Sequence, residues 1–166
     1  MALIAVALLV GGWRQFQQHR TTVFPWEAGL LYRDGRFERV LEPGCYTTGL
    51  WGRDIRKLMT TQQVAVLPSQ EVLTADGFPV KLSIIAEYRI TDPRLAQEST
   101  GGGWVGMLHV AIQLALRAPI QARTLDAVLA DRGGLEAEFL PPVQQAAKGL
   151  GIVVDRVALR DLVLPA

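Results

Sequence analysis

The sequence predicts an α+β fold: an antiparallel β-rich first half with helices packed on it and a final C-terminal strand, preceded by a short N-terminal hydrophobic helix. Three observations carry this expectation. From Thr21 to Ser99, short runs rich in β-branched and aromatic residues alternate with the turn formers Asp34-Gly35, Pro43-Gly44 and Asp76-Gly77. Beyond Asp92-Pro93 the apolar period lengthens from two residues to that of a helix. After Gly151 the chain returns to an extended Val/Leu-rich run. Strands, then helices, then one strand is a segregated order, unlike the alternation of a doubly wound sheet.

Composition bounds what this fold can be. A length of 166 residues suits one domain with a short appendage. Hydrophobic residues at 49% and charged residues at 20% supply a core and exclude a wholly disordered chain. The 17 Lys+Arg nearly cancel 16 Asp+Glu, leaving +1, so no global basic field points to nucleic acid. The single Cys45 makes neither an internal disulfide nor a multi-thiolate zinc site, and the composition suits a reducing compartment.

The first element is apolar. Ala2–Trp13 reads ALIAVALLVGGW, without a charge before Arg14. Leu3, Ile4, Val6, Leu8, Leu9 and Val10 are its anchoring side chains, with Trp13 at the interface. Twelve residues rise ~18 Å against a hydrocarbon core of ~30 Å, so the segment is a marginal span or an embedded wedge. A secretory signal would carry Lys or Arg before the run and a small-x-small site after it; both are missing, so cleavage is not expected. A soluble amphipathic helix would need a polar face, and Leu3 to Val10 has none. Arg14, His19 and Arg20 follow the run and place the remainder in the cytoplasm by the positive-inside bias. Residues 1–20 are thus read as anchor and basic juxtamembrane stretch, and 21–166 as the folded domain.

The strands come next. Ala28–Arg33 and Arg36–Leu41 flank Asp34-Gly35, which tolerates the positive φ angles of a two-residue hairpin turn. Glu42-Pro43-Gly44 reverses the chain again, with Pro43 setting φ and Gly44 taking the left-handed position, before a short strand at Cys45-Tyr46. Gln62–Leu67 and Gln70–Thr74 are extended runs split by Pro68-Ser69. Asp76-Gly77 then turns the chain into Val80–Ile90, whose even positions Val80, Leu82, Ile84, Ala86, Tyr88 and Ile90 can all pack on a core. The odd positions are polar except Ile85, so this strand has one buried and one wet face, as in an antiparallel sheet covered on one side.

The helices follow. A short one is expected at Pro93–Glu98. Trp104, Met107, Leu108, Ala111, Ile112 and Ala115 then form one apolar stripe, which Pro119 should end near Arg117. Thr124 can cap a short helix Leu125–Asp131, and Gly133-Gly134 separates it from a stripe of Leu135, Phe139, Leu140, Val143, Ala146, Ala147 and Leu150. Pro141-Pro142 inside that stripe predicts a break or kink, because an interior proline costs ~3 kcal/mol. Gly149 and Gly151 end the helix, and Ile152–Leu164 is the closing strand.

The order and spacing of several pieces resemble a known family. After the apolar N-terminus come VFPWEAGLLYRDGR at Val23–Arg36, Glu42-Pro43-Gly44, QEVLTAD at Gln70–Asp76, and a long strand ending Tyr88-Arg89-Ile90-Thr91-Asp92-Pro93. The second half continues with Leu116-Arg117, Thr124-Leu125-Asp126, Asp131-Arg132, Leu150-Gly151-Ile152, Val157 and Arg160–Pro165. Together, over about residues 21–165, they resemble the stomatin/prohibitin group, the SPFH or band-seven domain, and within it the stomatin/slipin branch. The resemblance implies a non-enzymatic, membrane-attached scaffold that forms homo-oligomers and organises membrane lipids and neighbouring membrane proteins. No cofactor is expected, and the balanced charge gives no reason to expect a nucleic-acid partner. Such relatives usually continue into an Ala/Glu-rich coiled coil; this sequence ends at Ala166, which weighs against large cages. Pro141-Pro142 and Gly101-Gly102-Gly103 depart from the family's usual pattern.

No catalytic motif competes with that reading. Ser69, Ser83 and Ser99 sit in no Gly-x-Ser-x-Gly elbow, and neither histidine has a partner at metal-ligand spacing. His109 is expected as a partly buried, hydrogen-bonded side chain, and Cys45 as a packed small residue. Asp155 and Asp161, six residues apart on one strand, would stand ~20 Å apart, beyond the ~5–9.5 Å of a glycosidase pair. The triple glycine lacks the Lys-Ser/Thr of a phosphate loop. Lys81, Glu87 and Arg89 read as a solvated strand face, with an inter-subunit contact as the alternative.

The expected function is therefore lateral: a bacterial-type stomatin-like protein at the cytoplasmic face of the inner membrane, binding lipids and copies of itself. Arg14, Arg20, Phe24 and Trp26 are its candidate membrane-surface contacts, with Phe24–Leu31 close to the lipid. Phe24, Pro25 and Trp26 can either dip into the headgroup region or pack in the core. The rival is a regulatory subunit that clamps a membrane protease or other membrane enzyme.

Overall fold

The computed structural model describes residues 20–48 and 52–164; the anchor side chains Leu3 to Trp13, and Arg14, lie outside them. The chain divides after Thr60 into two compact units. The class is α+β, with antiparallel strands first, helices next and a strand last.

Among the described residues the first unit is built of strands. Strands β1 (Arg20–Val23), β2 (Glu27–Arg33), β3 (Arg36–Leu41), β4 (Gly44–Thr47) and β5 (Arg53–Met59) form a β3-β2-β5 sheet and a β1-β4 pair. The β2–β3 hairpin turns through Asp34 at φ 49° and Gly35 at φ 77°, the positive angles expected of a tight hairpin. Gly44 departs from expectation. It takes no left-handed angle but stands in β4 opposite Val23, because pairing with β1 requires extended backbone there. Val23, Leu31 and Leu41 make a buried cluster with Tyr46 and Ile55 packed against it. Gly29 lets these strands close up: a Cβ there would stand 2.8 Å from Val23 Cγ2 and 3.1 Å from Leu41 Cβ.

The second unit is a β6-β7-β8 sheet with helices against it. Strand β6 runs from Gln63 to Leu73 as one element, so the expected split at Pro68-Ser69 is instead a bulge, with the register shifting between Leu67 and Gln70. Ser69, at φ 40°, donates its N–H to Ser83 Oγ at 3.3 Å, which holds the bulge to the neighbouring strand. The turn to β7 (Pro79–Ile90) is braced by buried Thr74, whose hydroxyl donates to Asp76 Oδ1 at 2.5 Å and accepts from the Phe78 N–H at 3.1 Å. All six even positions of Val80–Ile90 are buried, as the alternation predicts. Strand β8 (Ile152–Val163) pairs antiparallel with β7.

Helix α1 (Pro93–Thr100) begins where the Asp92 carboxylate accepts the Leu95 N–H at 2.9 Å and stops at Gly101, φ 60°. Helix α2 (Trp104–Gln121) buries Leu108, Ile112, Leu116 and Ile120, whereas Met107 of the expected stripe is exposed. Pro119 does not end α2, which runs on to Gln121 with Ile120 fully buried one residue beyond the proline. Helix α3 (Leu125–Ala130) is capped by Thr124, as expected. Helix α4 (Arg132–Lys148) starts three residues earlier than a Gly133-Gly134 spacer allows, since Asp131 Oδ1 accepts the Gly134 N–H at 2.8 Å and draws both glycines into the first turn. It also runs through Pro141-Pro142 as one helix. Both proline residues are exposed, and buried Leu135 and Phe139 before them, with Val143 and Ala147 after, seat the helix on either side.

Helix α2 packs on β6, α4 packs on β8, and the two helices pack together. Glu136 Oε1 accepts the Leu159 N–H at 2.8 Å, and Gln144 donates to the Val154 carbonyl at 2.9 Å, so side chains of α4 tie down the backbone of the outer strand β8.

Candidate functional site

The best-formed surface feature is the turn between β1 and β2. Pro25 and Trp26 occupy its centre, and the Glu27 N–H closes it on the Phe24 carbonyl at 3.0 Å. The Glu27 carboxylate accepts the Phe24 N–H at 3.2 Å, and the Trp26 carbonyl accepts the Thr60 N–H at 3.0 Å, tying the turn to the end of β5. On this frame the Phe24 and Trp26 rings stack at 4.9 Å, inclined by only 2°. They stay 42% and 48% exposed. The core alternative for these residues is thereby overturned: Val23, one residue earlier, fills the core, and the turn carries both rings outward.

A charged pair borders the rings. Lys57 Nζ lies 3.0 Å from Glu27 Oε2 and 5.7 Å from the Phe24 ring centroid. The hydrogen bond from Lys57 is the main reason the Glu27 carboxyl is held below the usual carboxylate range, partial burial opposing it and the Phe24 N–H assisting. An apolar tip beside a cation that is itself neutralised suits an interface between water and something less polar.

Of the other expected contacts, Arg20 is exposed at the start of β1. The expectation for Phe24–Leu31 narrows, because Leu30 and Leu31 are buried and the exposed apolar part stops at Trp26. Lys57 and Glu27 escaped sequence reasoning, since their meeting depends on the β2–β5 register that sets Gly29 opposite Lys57 and Glu27 opposite Met59.

The remaining singled-out residues disperse. Cys45 is exposed on β4 and is not the packed residue expected, because its strand is a short outer one. His109 is half-buried on α2. Asp155 pairs with Arg89 at 3.6 Å and Asp161 with Arg160 at 3.5 Å. Glu87 accepts from Gln62 at 2.8 Å. Among the described residues no group of three or more His, Cys, Asp or Glu could hold a metal ion, and no single helix is long and apolar enough to cross a membrane.

Comparison with known proteins agrees with this architecture. Stomatin-like protein 2, mitochondrial, of Rattus norvegicus is 28% identical over 140 residues, which is 84% of this chain and 39% of that protein. Stomatin-1 of Caenorhabditis elegans is 30% identical over 60% of this chain and 30% of its own length. A stomatin homolog of Pyrococcus horikoshii is 27% identical over 85% of this chain and 53% of its own. The chain thus spans roughly two-fifths to a half of the mitochondrial and archaeal relatives it matches. Residues 21–166 match the SPFH domain / Band 7 family, and with nearly the whole chain covered, this protein belongs to that family.

Proposed function

We infer that this chain is a membrane-attached, stomatin-like scaffold, with residues 1–20 as anchor and 21–166 as an SPFH body that associates with copies of itself. Family membership supports the scaffold role. The observation that carries the membrane-surface part is the exposed Phe24–Trp26 stack, reached shortly after the apolar and basic first twenty residues. An apolar tip of this kind inserts into the headgroup layer, while the anchor holds the body within reach of it. The bacterial inner membrane, with the body on its cytoplasmic side, is the proposed location, on the strength of Arg14 and Arg20 following the apolar run. Work of this kind is binding and lateral organisation, and needs no catalytic residue.

Fractionation tests the reading. The full chain should pellet with membranes and release only into detergent, and removing residues 1–13 should shift most of it to the soluble fraction. If the shortened chain pellets as completely as the full one, the anchor assignment fails. Crosslinking in the membrane should give a ladder of homomultimers. A single band with one foreign protein in place of the ladder would replace the scaffold by a regulatory subunit on a membrane protease or other enzyme.

A further inference from the structure

We propose that the hairpin end of the first unit is a binding site for a phosphate-bearing anion, formed by Arg33, Arg36, Arg39 and Arg53. The sheet register brings them together. Arg33, the last residue of β2, stands opposite Arg36 of β3 on one side and Arg53 of β5 on the other. Residues directly opposite share a face with Cβ atoms ~4.5–5.5 Å apart, and like charges placed so repel. Arg39 lies opposite Leu31, two residues before Arg33 and hence on the same face.

Countercharge is scarce. Arg33 reaches Glu38 at 3.5 Å, and on the other face Asp54 is taken by Arg56 at 2.8 Å. Among the described residues, Arg36, Arg39 and Arg53 have no carboxylate within ion-pair distance, and all three are exposed. The Asp34 carboxylate is turned over Gly52, where it would meet an added Cβ. Two hollows border the row, each lined by two of the four arginines and both by Glu38. One of about 540 Å³ is lined by Arg33, Asp34, Arg36, Phe37 and Glu38. A smaller one of about 90 Å³ is lined by Arg39 and Arg53 together with Glu38, Tyr46 and Thr47, the Tyr46 hydroxyl already donating to the Glu42 carbonyl at 2.8 Å. Planar guanidinium groups match phosphate oxygens two donors at a time, so a multi-oxygen anion held across Arg33, Arg36 and Arg53 relieves the repulsion of the row.

This site stands apart from the aromatic turn. Glu27 and Arg33 are the two ends of β2, separated by ~20 Å for six residues of strand, so the arginine row depends neither on Phe24 and Trp26 nor on the scaffold reading. The same phosphate chemistry is offered by a soluble phosphate ester and by the headgroup of an acidic phospholipid.

The test uses the full chain in neutral-detergent micelles at low salt. Inorganic pyrophosphate is titrated by calorimetry, and melting temperature is followed with pyrophosphate or with phosphatidic acid doped into the micelles. Pyrophosphate should bind and raise the melting temperature of the parent. Arg36→Gln/Arg53→Gln should weaken binding about tenfold or more, since loss of even one charge-assisted contact is worth about that factor. Without anion the variant should melt no lower than the parent, because the like-charge row has been relieved, which separates lost binding from lost folding. Lys81→Gln, on the other sheet, should change nothing. A shift that depends on the arginines with pyrophosphate assigns a soluble ligand; one that depends on them only with phosphatidic acid assigns a headgroup. No response to either anion, or a response the double variant keeps in full, overturns the proposal.

Discussion

Replacing the two stacked rings, Phe24→Ser/Trp26→Ser, isolates their contribution to membrane binding. An aromatic side chain carries ~200 Å² of surface, so the exposed fractions of 42% and 48% leave ~85 and ~95 Å² still in contact with water. Complete withdrawal of that area at ~25 cal/mol per Å² contributes ~4.5 kcal/mol. A tip that enters only the headgroup layer hides about half of it, which leaves ~2 kcal/mol, or a partition coefficient changed about thirtyfold. The measurement is sedimentation with phosphatidylcholine vesicles of the chain lacking residues 1–13, so that the apolar run does not mask the turn. The substitutions should leave the far-ultraviolet circular dichroism unchanged, because the turn is held by backbone bonds from Glu27 to Phe24 and from Thr60 to Trp26. A loss of partitioning smaller than about threefold would show that the rings face water or protein instead of lipid.

Other perturbations test the fold that presents the site. Gly29→Ala should destabilise the first unit by ~1–3 kcal/mol in urea melts, because the new methyl meets Val23 Cγ2 at 2.8 Å, and the added cost should fall when Val23→Ala makes room. Phe139→Ala, emptying a fully buried position of α4, should cost ~3–5 kcal/mol in the same assay. Asp76 has its carboxyl lowered below the usual range, first by the Thr74 hydroxyl and further by the Leu125 N–H, with desolvation opposing. Its folded value lies below its unfolded one, so its stabilisation is complete above the unfolded value of ~3.9 and fades as pH falls through the lowered folded value. Asp76→Asn should therefore lower the melting temperature at neutral pH, with the gap from the parent shrinking on acidification through that window. A gap that stays constant across the window would show that Asp76 contributes through shape alone.

Local patterns are legible where a few neighbouring residues suffice to determine the outcome. Asp34-Gly35 specifies its hairpin because the two positive φ angles are a property of that dipeptide alone. The alternation of Val80–Ile90 specifies which face is buried, and Asp92 and Thr124 specify helix starts through caps three residues long. Prolines and glycines are where local reasoning goes astray. At Pro68-Ser69 the cross-strand bond to Ser83 carries the strand through, and at Pro141-Pro142 the buried side chains on both sides hold the helix together. Propensity is worth a few kcal/mol at most, and burial of several large apolar groups outweighs it.

The sequence by itself determined the α+β order, the hairpin, the buried face of β7 and the family, because each rests on period, turn chemistry or the succession of motifs. Tertiary structure alone decided that Phe24 and Trp26 face outward while Val23 goes in, and that Cys45 is exposed. It likewise decided that Arg33, Arg36 and Arg53 stand in one row. These outcomes depend on strand register, which aligns residues distant in the chain and which no single segment encodes.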